Sequence, residues 1–71
     1  MIPLGKYRHF KGNEYEVIGV AKHSETQEPH VVYRPLGHDS GWWVRPLSMF
    51  VEAVERDGGV QPRFAYVGPM G

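Results

Sequence analysis

Residues 42–50 read Trp42-Trp43-Val44-Arg45-Pro46-Leu47-Ser48-Met49-Phe50. Aromatic and β-branched residues open this stretch, as they do in strands, and Pro46 stops the strand because proline has no backbone N–H to give to a ladder. Proline also suits the first position of a helix, so residues 46–50 predict one turn of 3₁₀ helix. A short strand followed by a single helical turn and a closing strand is the order of an SH3-like barrel.

The rest of the chain supports an all-β fold. Short runs rich in Val, Ile, Tyr and Phe occupy residues 6–10, 15–23, 31–33, 51–56 and 60–67, and turn-forming residues separate them. Gly19 lies inside the second run, where a bulge or bend would help a small barrel to close. We therefore predict a small SH3-like barrel of about five to six short strands over residues 4–67, with residues 68–71 as a flexible tail. An OB-type barrel is the alternative, but it needs a longer helix than Pro35 to Gly41 can form.

Composition excludes several classes of protein. The 71 residues are 41% hydrophobic, which is enough for a domain to fold alone, and eight basic residues balance eight acidic ones. No global field therefore draws the chain to nucleic acid or to a membrane, and any such attraction must come from a local patch. The absence of cysteine, of long apolar runs and of a secretory signal at the start predicts a cytoplasmic protein without a membrane partner.

Several multi-residue words follow one another in a specific order. They are Gly5-Lys6-Tyr7-Arg8-His9-Phe10-Lys11-Gly12, Ala21-Lys22-His23-Ser24-Glu25-Thr26, Val32-Tyr33, and Trp43-Val44-Arg45-Pro46 with Met49-Phe50. Together they resemble the signature of a family of small bacterial proteins that is catalogued as a domain of unknown function. The resemblance runs from Leu4 to Tyr66 and implies a stand-alone bacterial domain with an SH3-like barrel fold. It implies no catalytic or ligand role, because the family has no assigned activity.

The two adjacent tryptophans are the most unusual feature for function. Their side chains point to opposite faces of one strand, so at least one indole is expected to be exposed. Trp43 and Arg45 share a face, which sets a flat ring beside a fixed cation, a pairing typical of recognition surfaces. The alternative is that Trp43 packs under the chain end while Arg45 pairs with a carboxylate.

The first run mixes positive charge with aromatic rings. Strand alternation puts Tyr7 and His9 on one face and Lys6, Arg8 and Phe10 on the other, so only half of this set can meet a ligand. In the alternative interpretation Tyr7 or Phe10 enters the core while the charged groups point to solvent.

The segment from His23 to Glu28 carries an imidazole, two hydroxyls and two carboxylates. Loops on rigid scaffolds often carry function, but Ser24 and Gln27 also suit a simple capped turn. The spacing of His9, His23, His30 and His38 matches no metal-binding motif, and no nucleophile elbow is present, so we expect neither a metal nor a cofactor.

We therefore predict a non-catalytic binding module for a nucleotide-like ligand, a single-stranded nucleic acid or a peptide. The candidate contacts are Tyr7, Arg8, His9, His23, Glu25, Tyr33, Trp43 and Arg45. One alternative is a small hydrolase or transferase that uses His23 with Glu25 or Glu28 as acid–base groups. The other is a structural or homo-oligomeric protein in which an exposed Trp is buried against a second copy.

Overall fold

The computed structural model describes residues 2–70, and the predicted all-β class is confirmed. Seven strands and one helical turn follow one another as β1 (Gly5–His9), β2 (Glu14–Lys22), β3 (Pro29–Pro35), β4 (Trp43–Pro46), α1 (Leu47–Phe50), β5 (Ala53–Arg56), β6 (Gly59–Pro62) and β7 (Phe64–Gly68). The residues described here contain no helix of the length and apolarity that crossing a bilayer requires. The predicted tail, 68–71, overlaps the end of β7, and its last residue lies outside the described residues.

Five strands form one antiparallel sheet in the order β4-β3-β2-β1-β7. Strand β1 pairs with β2 on one side and with β7 on the other, so Tyr7 lies opposite both Tyr15 and Tyr66. The first strand thus joins the last strand to a three-stranded meander, which is the strand order of the predicted SH3-like barrel. Within residues 2–70, β4 and β7 are the edge strands and do not pair with each other, so the barrel is open at this seam.

The expected irregularity of the second strand is present. The register between β2 and β3 shifts between Val17 and Gly19, because Val17 faces Tyr33 while Gly19 faces the adjacent Val32. One residue of β2, Ile18, is therefore left without a partner, as in a β-bulge. The bend that such a bulge introduces lets a nine-residue strand follow a strongly twisted sheet.

The last third of the chain differs from the sequence prediction. Residues 60–67 form two strands instead of one, and β5 with β6 makes a separate two-stranded sheet. The cause lies at Pro62 and Arg63, where proline cannot donate to a ladder and the chain changes partners. The Arg63 N–H donates to the Glu52 carbonyl at 3.0 Å, and the Arg63 carbonyl accepts from the Phe10 N–H at 3.0 Å. The strand count is therefore seven, against an expected five to six.

The helical turn lies where the sequence places it, but its geometry is α rather than 3₁₀. The Val51 N–H donates to the Leu47 carbonyl at 3.1 Å, which is the spacing of four residues that defines an α-turn. Pro46 is the residue before the turn instead of its first residue. A closing bond of 3₁₀ spacing, from the Glu52 N–H to the Met49 carbonyl at 3.3 Å, appears only at the end of the turn.

A small core lies on one face of the five-stranded sheet. It contains Tyr7, Val17, Val31, Tyr33, Phe50 and Phe64. The turn α1 brings Phe50 over the sheet, where its ring stacks on that of Phe64 with centroids 4.2 Å apart and planes 4° from parallel. Tyr7 satisfies its buried hydroxyl by donating to the Pro3 carbonyl at 2.7 Å.

The start of β1 gives a sharp test of this architecture. Gly5 has φ = 131°, and a Cβ atom there would come within 2.5 Å of the Gly68 carbonyl oxygen. We therefore expect Gly5→Ala to lower the free energy of unfolding by at least about 1–3 kcal/mol, because backbone atoms cannot yield as a flexible side chain can. Urea denaturation measures the change.

Gly19→Ala is the matched control, since a Cβ at Gly19 meets nothing within 4 Å and the backbone there has no positive φ. Equal stability of the two variants would contradict the pairing of β1 with β7.

Candidate ligand-binding site

A group of partly exposed side chains continues the core toward solvent, and we call it the aromatic mouth. Its rim comes from β1, β2 and β4, and its floor consists of two buried rings; the rim is His9, Tyr15, Trp43 and Arg45, and the floor is Tyr33 and Phe64. The strand registers explain this arrangement, because residues that face each other in a ladder project from the same face of the sheet. Tyr33 lies opposite Trp43, and His9 lies opposite Phe64.

The rings of the mouth touch one another in a continuous network. Trp43 lies 6.1 Å from Tyr33 and 6.3 Å from Tyr15 between ring centroids. Phe64 lies 5.6 Å from Tyr15 and 4.9 Å from His9. Edge contacts of this kind fix the orientation of each ring. Trp43 is nevertheless 43% exposed, so an ordered indole remains available to a ligand.

Arg45 is held against the rings rather than by a carboxylate. Its guanidinium carbon lies 5.7 Å from the centroid of Phe64, within the range of a cation–π contact. Its Nε–H points to the Tyr33 hydroxyl at 3.4 Å, a long hydrogen bond. No carboxylate of residues 2–70 lies within ion-pair distance of Arg45. The cation is therefore positioned but not neutralised.

Positive charge is concentrated around His9. Among the lysines and arginines, those without a carboxylate partner in the described part of the chain are Lys11, Lys22 and Arg45. The pKa of His9 is lowered, first by its partial burial and then by the charges of Arg45, Arg63 and Lys11. The Lys11 backbone N–H donates to Nδ1 of His9 at 3.2 Å, which leaves Nε2 to carry the proton of the neutral ring. The mouth thus combines aromatic rings with excess positive charge.

A groove of ≈ 290 Å³ runs beside Trp43, near the lower end of the range for small-molecule sites. Tyr15 and Trp43 supply its aromatic walls, and the β1–β2 turn, the end of β3 and the β3–β4 loop supply the rest. The lining residues are Asn13, Glu14, Tyr15, Pro35, Leu36, His38, Ser40 and Trp43. Glu14 is partly neutralised here, because its carboxylate binds the Arg8 guanidinium at 2.8 Å.

The structure brings half of the predicted contact residues together, namely His9, Tyr33, Trp43 and Arg45. Tyr7 lies beneath the mouth, fully buried with its ring 5.4 Å from that of Phe50. Arg8 projects from the opposite face of β1, where it pairs with Glu14. The alternative in which Arg45 pairs with a carboxylate does not occur within residues 2–70, and Trp43 is not covered by the chain end.

His23 and Glu25 lie in the β2–β3 loop, at the far end of the sheet. Tyr15 and Lys22 stand near the two ends of β2, which at a rise of about 3.3 Å per residue puts them about 20 Å apart. Nδ1 of His23 accepts the backbone N–H groups of Glu25 at 3.1 Å and Thr26 at 3.3 Å. The ring therefore caps its own loop. Across residues 2–70 no three His, Asp or Glu side chains converge as a metal site would need.

The mouth also contains residues that the sequence does not single out. These residues are Tyr15 and Phe64, which the sequence identifies only as members of strands. Arg63, whose charge acts on His9 from outside the mouth, is predicted only as part of a long final strand. Alternation along β2 puts Tyr15 on the same face as Val17, which is a signal for burial. Tyr15 lies next to Trp43 because of two strand registers, that of β2 with β3 and that of β3 with β4. A single sequence does not determine these registers.

Comparison with known proteins gives the family. The family model described as a protein of unknown function, DUF1653, matches residues 5–66. The chain belongs to the DUF1653 family. The resemblance noted in the sequence is thereby confirmed. A crystal structure of a DUF1653 protein from Bordetella bronchiseptica is similar, with 42% identity, a TM-score of 0.88, and coverage of 99% of this chain and 92% of that chain. The search of curated proteins finds no match to the chain.

The environment of His9 predicts a pH dependence of stability. Because folding lowers its pKa, the unfolded chain binds more protons than the folded one at mildly acidic pH. Stability is thus expected to be full above the ordinary histidine range near 6.5 and to fall as pH drops from there toward the lower folded pKa. His9→Gln should remove this part of the decrease, measured as the thermal midpoint at a series of pH values.

The charges can be tested separately by following the His9 ring signals by NMR. Arg45→Gln should raise the pKa of His9, because Arg45 is the largest charged contributor to its lowering. Lys22→Gln removes the same charge without being among those contributors and serves as the control. An unchanged His9 titration in Arg45→Gln would show that the two side chains do not meet.

Proposed function

We propose that this protein is a non-catalytic binding module whose aromatic mouth holds a ligand that combines a planar ring with negative charge, as a nucleotide does. The observation that supports this most strongly is the position of Arg45. It is a partly buried cation without a carboxylate partner in residues 2–70, and it shares a face with the exposed indole of Trp43.

The ring of the ligand stacks on Trp43. Base–aromatic stacking contributes about 1–3 kcal/mol per base and accepts any base, because every base has a π-face. Tyr15 and Tyr33 already hold the indole, so little side-chain entropy is lost when the ligand arrives. The groove of ≈ 290 Å³ beside Trp43 gives room for the ring.

Arg45 binds the negatively charged group of the ligand. A guanidinium presents its N–H groups as a planar fork that suits phosphate oxygens, and contacts with Phe64 and Tyr33 have already oriented it. Lys11 adds positive potential around His9, whereas the charge of Arg63 is paired with Glu52 at 2.8 Å. The neutral imidazole can donate from Nε2, which gives a neutral polar contact beside the cations.

A peptide is the second candidate, because Tyr15, Trp43 and Pro35 line one groove and aromatic grooves of this kind bind extended proline-rich segments. An uncharged peptide leaves the unpaired charge of Arg45 without a role, so the nucleotide is preferred. Acid–base chemistry at His23 is less supported, since Nδ1 of that ring accepts two loop N–H groups. Self-association is supported by the exposed side chains of Val44 in the edge strand β4 and of Trp42 just before it.

A cytoplasmic location accords with the lack of cysteine, and a bacterial origin accords with the source of the similar structure.

The two tryptophans allow a matched test with uridine monophosphate as the probe. Trp43→Ala should weaken binding about tenfold or more, because the stacking surface is lost. Trp42→Ala removes the more exposed indole, at 67% against 43%, and should leave the dissociation constant unchanged. Isothermal titration calorimetry measures both.

Thermal unfolding of the same variants separates binding from folding. Trp43→Ala should still unfold cooperatively near the wild-type midpoint, as expected for a half-exposed ring. Equal weakening by the two substitutions, or no binding of the nucleotide at millimolar concentration, would contradict the proposed function.

A further inference from the structure

We propose that the physiological ligand is a single-stranded nucleic acid that crosses the β1–β2 turn and places successive bases in two grooves on its two sides. This inference rests on the proposed function and narrows it from a nucleotide to an oligonucleotide. Three features support it: a second groove, the turn between the two grooves, and the cations along the proposed path of the nucleic acid.

The second groove measures ≈ 380 Å³ and lies on the other side of the turn. It contains two aromatic side chains, Phe10 and Tyr66, together with Arg8, whose guanidinium pairs with Glu14. Phe10 is partly buried, and its ring lies 4.4 Å from that of His9 between centroids. The second groove thus offers a second pair of rings, and Lys11, which has no carboxylate partner in the described residues, lies beside the ring of Phe10.

The turn between the grooves is short and tight. His9 donates its backbone N–H to the Asn13 carbonyl at 2.8 Å, and Gly12 donates to the His9 carbonyl at 2.7 Å. Asn13 lines the first groove, whereas Gly12 and His9 line the second. The imidazole of His9 also belongs to the rim of the mouth. It therefore lies where a bound nucleic-acid strand would pass from one groove to the other. Gly12 presents no side chain to obstruct that passage.

Cations follow the same path. Lys11 lies at the turn, 5.9 Å from the Phe10 centroid and without a carboxylate partner in the described residues. Arg56, which also pairs with Asp57 at 3.9 Å, approaches the same ring at 5.5 Å, and Arg45 lies in the mouth. Rings that alternate with cations along a groove are the pattern by which proteins hold single strands without reading their sequence.

This arrangement discriminates between ligands. A mononucleotide offers one base and fills one groove, so it leaves the ring of Phe10 unused. A neutral peptide fills the grooves but offers no negative charge to Lys11 and Arg45, the two cations on the path that have no carboxylate partner within residues 2–70. An oligonucleotide supplies both a second ring and a bridging phosphate, and its affinity should therefore depend on length and on salt.

The experiment compares uridine monophosphate with oligouridylates of two, four and eight nucleotides, and with oligothymidylates of the same lengths. Binding is followed by calorimetry and by fluorescence anisotropy of labelled strands. We expect affinity to increase at least tenfold between one and four nucleotides and then to level off. The logarithm of the affinity should fall with the logarithm of salt concentration by about 0.7 for each phosphate contacted.

Phe10→Leu tests the second groove, because leucine retains apolar bulk but offers no ring for stacking. It should abolish the gain with length and leave mononucleotide binding unchanged. Trp42→Leu, which removes an exposed ring outside both grooves, is the control and should keep the gain. Amide spectra of both variants verify the fold.

The outcomes separate this inference from the proposed function. Mononucleotide binding that requires Trp43 but does not improve with length overturns the two-groove path and leaves the proposed function standing. Absence of binding by any nucleotide or strand overturns both. Tighter binding of decaproline than of the longest strand also overturns the inference, in favour of a peptide. Preference for uridylates over thymidylates, or equal affinity for both, supports it and identifies RNA or either single strand as the ligand.

Discussion

The stacking of Phe64 on Phe50 is the contact on which both the core and the candidate site depend. Phe50 closes the helical turn, Phe64 begins the last strand, and their rings lie 4.2 Å apart. Loss of one buried aromatic ring costs about 3–5 kcal/mol, a large share of the 5–15 kcal/mol that small domains possess. Phe64 also contacts His9, Tyr15 and Arg45, so the ring that completes the core is the floor of the mouth.

The two faces of the sheet differ in how their charged side chains are paired. On the outer face, Arg34 pairs with Glu16 and Arg8 with Glu14, so charges there are neutralised across the strands. On the inner face, Arg45 rests on an aromatic ring and has no carboxylate partner among residues 2–70. The net charge of zero therefore conceals a local positive patch. The proposed preference for an anionic ligand rests on that patch rather than on the overall composition.

Local rules predict part of this structure. Strand alternation places Trp43 and Arg45 on one face, and Pro46 correctly separates β4 from the helical turn. The division of residues 60–67 escapes such rules, because Arg63 bonds to Glu52 and to Phe10, partners that only the folded chain brings near. Alternation also cannot say at which end of the sheet a loop lies. Prediction from the sequence therefore groups His23 and Glu25 with Trp43, although the length of β2 separates them. It does not find Tyr15, because the neighbours of Tyr15 are set by two strand registers.

The central claim is that the mouth, and not the β2–β3 loop or the β4 edge, receives the ligand. Amide chemical shifts of the isotopically labelled protein, with intermolecular nuclear Overhauser effects to uridine monophosphate, test it most directly. The account predicts shifts at His9, Lys11, Trp43 and Arg45 and Overhauser contacts between the base protons and the Trp43 indole. Shifts confined to residues 23–28, or contacts to Trp42 in place of Trp43, would contradict it.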